Sequence, residues 1–235
     1  MTSGWPRRLL RYSLIAMAAF VGLSVLFVLL FRFVPVFGSM VMAERKVASW
    51  FDGENLQIHQ QWTPWERLSD NAKLAVMAGE DQRFPEHWGF DVAQIKRSLT
   101  NWSDGGSLRG ASTLSQQTAR NLFLWTGRSW IRKGLEAWFT LLMEALWPKQ
   151  RILEVYLNIA EWDTGVFGLE AAAERYFNTS AASLSVSQAA RLAAILPNPR
   201  GRSASQPSAQ VSQRAAWIER QMRNLGGTAF LGRLD

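Results

Sequence analysis

The stretch "AGEDQRFPEHWGFD", from Ala78 to Asp91, gathers Glu80, Asp81, Glu86, His87 and Asp91 around Phe84, Pro85, Trp88 and Phe90. Carboxylates set among apolar and aromatic side chains lose hydration, which raises their pKa toward the range useful for general acid or base work. Glu80 and Asp81 close a helical pattern just ahead of the Phe84-Pro85 turn, so a carboxylate projects from a helix end into whatever cleft the turn lines. The bland reading stands level with this one: structural carboxylates that are solvated or cap backbone occupy similar places. For His87 the bland reading is preferred, a buried imidazole bonded to backbone or to a nearby carboxylate and holding the turn in shape.

A second group follows in "RGASTLSQQTARNLFLWTGRSWIRKGLEAW", where Ser112, Thr113, Gln116 and Gln117 stand at a helix start ahead of Arg120, Arg128, Arg132, Lys133 and Glu136. A helix N-terminus with hydroxyl and amide groups is a ready anion site, and fixed cations beside it suit a diphosphate. Arg132 and Glu136 lie four apart on one helix face. Spacing alone fits a salt-bridged solvent face equally well.

The elements that position these groups read as helices. Ser69 caps "DNAKLAVMAGE", Asp91 with Gln94 opens "VAQIKRSL", Thr113 with Gln116 opens "LSQQTARNLFL", and Ser185 with Gln188 opens "VSQAARLAAIL". Ile131, Leu135, Trp138, Leu142 and Ala145 recur at helical spacing, as do Ile152, Leu153, Tyr156 and Leu157 after the break at Pro148. Val211, Ala215, Ile218, Met222 and Leu225 form a last amphipathic helix before Gly226. No strand alternation of comparable length is present, so the domain is expected to be almost entirely α-helical. "NWSDGGSLRGAS" reads as a loop able to move over a site.

The chain has 235 residues, 48% of them hydrophobic, which suits one sizeable domain with an appendage. The absence of cysteine excludes disulfides, thiolate metal sites and cysteine nucleophiles, and two distant histidines disfavour a histidine-based metal cluster. The net charge of +7 fits an anionic membrane face, a phosphorylated substrate or nucleic acid. Between Arg11 and Arg32, twenty residues carry no charge, and at about 1.5 Å per residue they match the ~30 Å hydrocarbon core. Ala16-Met17-Ala18 resembles a cleavage site, but too few apolar residues precede it for a signal sequence. An uncleaved anchor is therefore expected at 12–31, with a cytoplasmic 1–11 before it, a juxtamembrane segment at 32–61 and the globular domain at 62–235. Phe33 to Met42 is expected to lie along the lipid. The flanking basic residues favour a cytoplasmic N-terminus only weakly.

"EDQRFPEHWGFD", "GASTLSQQTARN", "RKGLE" and "ILEVYLN", in this order, resemble the successive motifs of the family 51 glycosyltransferases, the peptidoglycan transglycosylases. With "GVFGLEAAAERYF" and "AARLAAILPNP" the resemblance runs from about Trp65 to Arg200 and leaves no length for a transpeptidase domain. It implies an all-α, lysozyme-like two-lobed domain with a membrane-embedded jaw around Asn101 to Leu124, preceded by one N-terminal transmembrane helix. It implies polymerisation of lipid II onto a growing glycan strand, with inversion and release of undecaprenyl diphosphate. Glu80 matches the general base, and Glu136 the glutamate of the third motif, which the resemblance makes an organiser of the cations and the substrate or a second catalytic carboxylate. Ser112, Gln117, Arg120, Arg128, Arg132 and Lys133 match donor and phosphate positions, and Asp81, Phe84 and His87 match supports. Leu114 stands where isoleucine is common, and Leu135 where some relatives carry a basic residue.

No cofactor is implied as required, a divalent ion at the diphosphate is compatible, and no protein metal cage is expected. The implied partners are lipid II, the glycan strand, the bilayer and other wall-synthesis proteins. Nucleic acid is not among them, because the basic residues cluster with hydroxyl and amide groups rather than with stacked aromatics. The implied location is the bacterial inner membrane, single-pass, with the domain on the periplasmic face. The rival readings are a lytic transglycosylase or lysozyme-like hydrolase and a catalytically silent membrane scaffold.

Overall fold

The computed structural model describes residues 5–103, 112–127 and 129–234. The chain opens with α1 (Trp5–Phe33), whose stretch Arg7–Phe33 is long and apolar enough to cross a membrane. Most of α1 is exposed and apolar, but Val21, Ser24, Val25, Val28 and Phe31 form one stripe that turns inward. These residues recur at helical spacing, as one packed face requires. The stripe packs on α6 (Trp130–Leu146), where the Phe20 and Trp138 rings lie 6.3 Å apart and the Trp147 indole N–H donates to the Val28 carbonyl at 2.7 Å.

A helix end leaves carbonyls unmet, and cations suit that end. Arg151 donates to the carbonyls of Phe31 and Val34, and its other side pairs with Glu154 at 2.6 Å. The apolar helix α1 is thus fastened to α7 (Lys149–Ile159). In the segment after α1 the apolar residues divide between the core and the surface. Val36 is fully buried, and Val41 and Met42 of α2 (Met40–Phe51) join the core, while Phe37 stays exposed. Alternate residues face opposite ways, which residue polarity alone does not show.

The expected all-α domain is present as two helical groups. In one, α3 (Asp70–Glu80) is buried on nearly every side by α9 (Val186–Ile195) and α10 (Ala209–Asn224), as its small and apolar residues Ala72, Leu74, Ala75, Val76, Met77 and Ala78 allow. In the other, α5 (Leu114–Phe123) packs on α6 and α7. The Thr113/Gln116 and Ser185/Gln188 capping boxes form, and Asp91 caps the Gln94 N–H at 2.9 Å at the start of α4 (Val92–Ser103). Ser69 departs from expectation: it precedes α3, but its hydroxyl donates to the Leu184 carbonyl instead of capping.

Two further elements carry no periodic signal. A small sheet of β1 (His59–Gln60), β2 (Glu161–Asp163) and β3 (Val166–Phe167) has order β1-β3-β2, parallel on one side and antiparallel on the other. Strands of two or three residues are too short to alternate visibly. After α8 (Leu169–Phe177), α9 and α10, a 3₁₀ turn at Gly227–Arg233 follows Gly226 and packs against α3. The first three residues of the expected loop 101–112 continue α4, and 104–111, with part of the expected jaw, lie outside the described residues.

Asn158 on α7 ties the sheet side to the domain. It accepts the Thr63 N–H at 2.7 Å and donates to the carbonyls of Thr63 and Glu154 at 2.9 Å, fully buried. Asn158→Ala strands the Thr63 groups and is expected to cost about 1–3 kcal/mol. A fall in the unfolding temperature of detergent-solubilised protein is the measurement, and an unchanged midpoint overturns the assignment.

Candidate active site

Glu80 is the last residue of α3 and its side chain is 14% exposed. One carboxylate oxygen accepts from the Gln117 amide at 3.1 Å, and the other from an Arg214 N–H at 3.1 Å. Arg214 also donates to the Gly79 carbonyl at 3.2 Å. Burial pushes the Glu80 carboxyl above the ordinary carboxylate range. The Gln117 hydrogen bond and the Arg214 charge pull it back, and the Asp81 charge pushes it up again. Gln117 in turn accepts from the Tyr156 hydroxyl at 3.2 Å. Burial, then the Glu80 charge, holds that phenol well above its ordinary pKa, so it stays a neutral donor.

Asp81, adjacent in sequence, is buried and turned the other way. Both its oxygens lie 3.0 Å from His87 Nε2, and one also accepts the Leu114 N–H at 3.0 Å, the first residue of α5. The turn is fastened twice more, because the Thr113 hydroxyl donates to the Gly89 carbonyl at 2.6 Å and Lys149 donates to the His87 carbonyl. Lys149 sits 4.6 Å from the centroid of the fully buried Phe84 ring and pairs with Glu144 at 2.7 Å, which also receives the Ser115 hydroxyl. Gly89 has φ +74°, and a Cβ there would lie 2.5 Å from the Thr140 methyl on α6. Glycine is therefore required where α6 meets the turn.

Of the expected cations, Arg120 and Arg132 meet in a cleft of about 320 Å³ whose lining includes Gln117, Tyr156, Arg45 and Glu161, and Lys133 is not part of that lining. Gln117 places this cleft next to Glu80. Glu136 is 1% exposed and stands behind it, holding Arg132 at 2.8 Å and also pairing with Lys133. Two cations on one buried carboxylate make Glu136 an organiser of charge in this geometry. Ser112 is half-buried just before the Thr113 cap, and Arg128 lies outside the described residues. Among the described residues no group of three or more His, Asp and Glu side chains is gathered closely enough to hold a metal ion.

Sequence reading missed Arg214, which lies on the polar face of the last helix, and Tyr156, which it read only as core. Arg45 entered that reading only as a charge flanking the span, and Glu161 not at all. Arg214, Arg45 and Glu161 have no local motif, Tyr156 sits in the run "ILEVYLN", and each reaches the site through packing of distant segments.

The transglycosylase family model matches residues 45–223. A biosynthetic peptidoglycan transglycosylase of Chromohalobacter salexigens is 69% identical over 234 residues, 100% of both chains. One of Pseudomonas fluorescens is 62% identical over 216 residues, 92% of this chain and 90% of that one. One of Pseudomonas savastanoi pv. phaseolicola is 59% identical over 227 residues, 97% of this chain and 96% of that one. With a family match that takes in every segment of the site and identities that run along the whole chain, the protein belongs to the transglycosylase family, the glycosyltransferases that include these biosynthetic peptidoglycan enzymes.

Proposed function

We propose that the chain polymerises lipid II into β-1,4-linked glycan strands, with inversion and release of undecaprenyl diphosphate, for synthesis of the bacterial cell wall. The observation that carries this reading is a half-buried carboxylate, Glu80, bonded through Gln117 to a cleft lined with Arg120 and Arg132. In this reading the acceptor's 4-hydroxyl attacks the anomeric carbon of the donor, and Glu80 takes the hydroxyl proton. The bond to the lipid diphosphate breaks on the opposite face, so an α linkage becomes β.

Arg120, Arg128, Arg132 and Lys133, with Ser112 and Gln117, receive the charge that gathers on the leaving diphosphate. Glu136 fixes Arg132 and Lys133 for that task, and Asp81, Phe84 and His87 hold the turn that aims Glu80. A diphosphate leaves without protonation of a sugar oxygen, so one carboxylate serves where a glycosidase needs two. That distinction favours synthesis over hydrolysis. The reading requires no cofactor, and a divalent ion that assists is held by the diphosphate itself. The chain is anchored by α1 in the inner membrane with its domain on the periplasmic face, where a substrate with its tail in the bilayer is within reach. Other wall-synthesis proteins are its natural partners.

Lipid II polymerisation by the full chain in detergent tests the proposal. Glu80→Gln is expected to lose about 10²–10⁴-fold in rate. An active Glu80→Gln variant removes the base from the mechanism, and an inactive wild type with intact fold favours the scaffold reading. A second outcome concerns pH. A base works ionised, so kcat/KM falls as pH drops through the raised pKa of Glu80. Arg214→Met removes a charge and a hydrogen bond that lower this pKa, so the acid limb is expected to move to higher pH, and Arg214→Lys to move it less.

A further inference from the structure

One wall of the cleft has no task in the proposed chemistry. Arg45 comes from α2 and Glu161 from the start of β2, and both line the cleft with Arg120 and Arg132. Their ion pair is one-sided. Arg45 Nε and one terminal nitrogen both approach the same oxygen, Glu161 Oε2, at 3.1 Å. The Glu161 side chain is 9% exposed, and its other oxygen, Oε1, is buried and has no hydrogen-bond partner among the described residues.

A pair that served only to pin α2 to β2 would gain most from the bidentate fork, one N–H on each oxygen. A buried carboxylate oxygen without a donor is costly and infrequent. The terminal carboxyl torsion is soft, so a small rotation presents Oε1 to the cleft. What it accepts is not the diphosphate, which is anionic and brings no N–H or O–H. We infer that Glu161 is a substrate-recognition residue, positioned by Arg45, whose free oxygen accepts a hydrogen bond from a neutral donor on the sugar portion of the substrate, a hydroxyl or an acetamido N–H. The division of the cleft is then chemical, with cations for the diphosphate and one carboxylate for the sugar.

This inference rests on the lipid II reading, and the experiment separates the two. In Glu161→Gln the shape is kept, but Arg45 claims the amide oxygen and an NH₂ donor faces the cleft in place of the acceptor. The lost bond is made in ground and transition states alike, so KM for lipid II is expected to rise about tenfold or more with kcat within about twofold. Glu161→Ala is expected to do the same, with the unfolding temperature near wild type. Lipid II with an N-methylated acetamido group locates the donor. Glu161→Gln leaves its KM unchanged where the amide N–H is the donor, and raises it as before where a hydroxyl is. An unchanged KM for ordinary lipid II in both variants overturns the inference while Glu80→Gln stays inactive. A fall in kcat that follows a loss of thermal stability also overturns it, in favour of a purely structural pair. A wild type that forms no polymer overturns the underlying reading instead.

Discussion

The site depends on one buried carboxylate, Asp81. It meets His87 within its own turn and the Leu114 N–H at the head of α5, three hydrogen-bond contacts of 3.0 Å each. A helix start leaves N–H groups unmet and favours negative charge, so this contact satisfies a polar need on both sides. It also fixes the height of α5 against the end of α3. Gln117 lies one turn beyond Leu114, and with α5 so placed its amide reaches Glu80. The Thr113 hydroxyl on Gly89 and the Lys149 ammonium on the His87 carbonyl reinforce the same joint from α5 and α7. Phe84 and His87 are supports in a literal sense, since the ring and the imidazole fill the space these bonds enclose.

The same logic of satisfied ends ties the apolar helix to the domain. Arg151 completes the last carbonyls of α1, Glu154 holds Arg151, and the same carboxyl group accepts the Trp65 N–H at 2.9 Å. The chain of contacts runs from the span through α7 to the segment just before α3. Because α7 also carries Tyr156, bonded to Gln117, and Lys149, bonded to His87, the helix that receives the anchor is the one that braces the site. A flexible tether would leave the direction of α1 relative to the domain undefined, and the domain's own arginine at the end of α1 fixes it.

Local signals in the sequence were enough for the helices and for half of the site. The capping pairs Thr113/Gln116, Ser185/Gln188 and Asp91/Gln94 are satisfied within one turn, so residue types three apart reveal them. Ser69 has the same type but makes no cap, and its hydroxyl instead donates to the carbonyl of the distant residue Leu184. The sheet left no trace, since its strands are shorter than one readable period. Arg214 and Glu161 were invisible for a related reason. Their partners, Glu80 and Arg45, lie 134 and 116 residues away, and no short pattern encodes such a meeting. Glu80, Gln117, Arg132 and Glu136 were legible because they sit in runs whose order resembles a known family.

Glu80 and Asp81 show how adjacent carboxylates acquire separate tasks. Glu80 keeps helical backbone and projects beside α5 and α10, whereas Asp81 leaves the helix with φ −159° and turns its side chain into the domain. The change of backbone at one residue sends neighbouring groups in different directions. Asp81 then has no free oxygen for substrate, which leaves Glu80 as the carboxylate available for the proposed chemistry. Their separation is not complete, because the Asp81 charge still raises the Glu80 pKa, adding to burial and opposing Gln117 and Arg214. The residue that holds the proposed base in place therefore also helps make it a better acceptor of protons, and shape and basicity at this site share one cause.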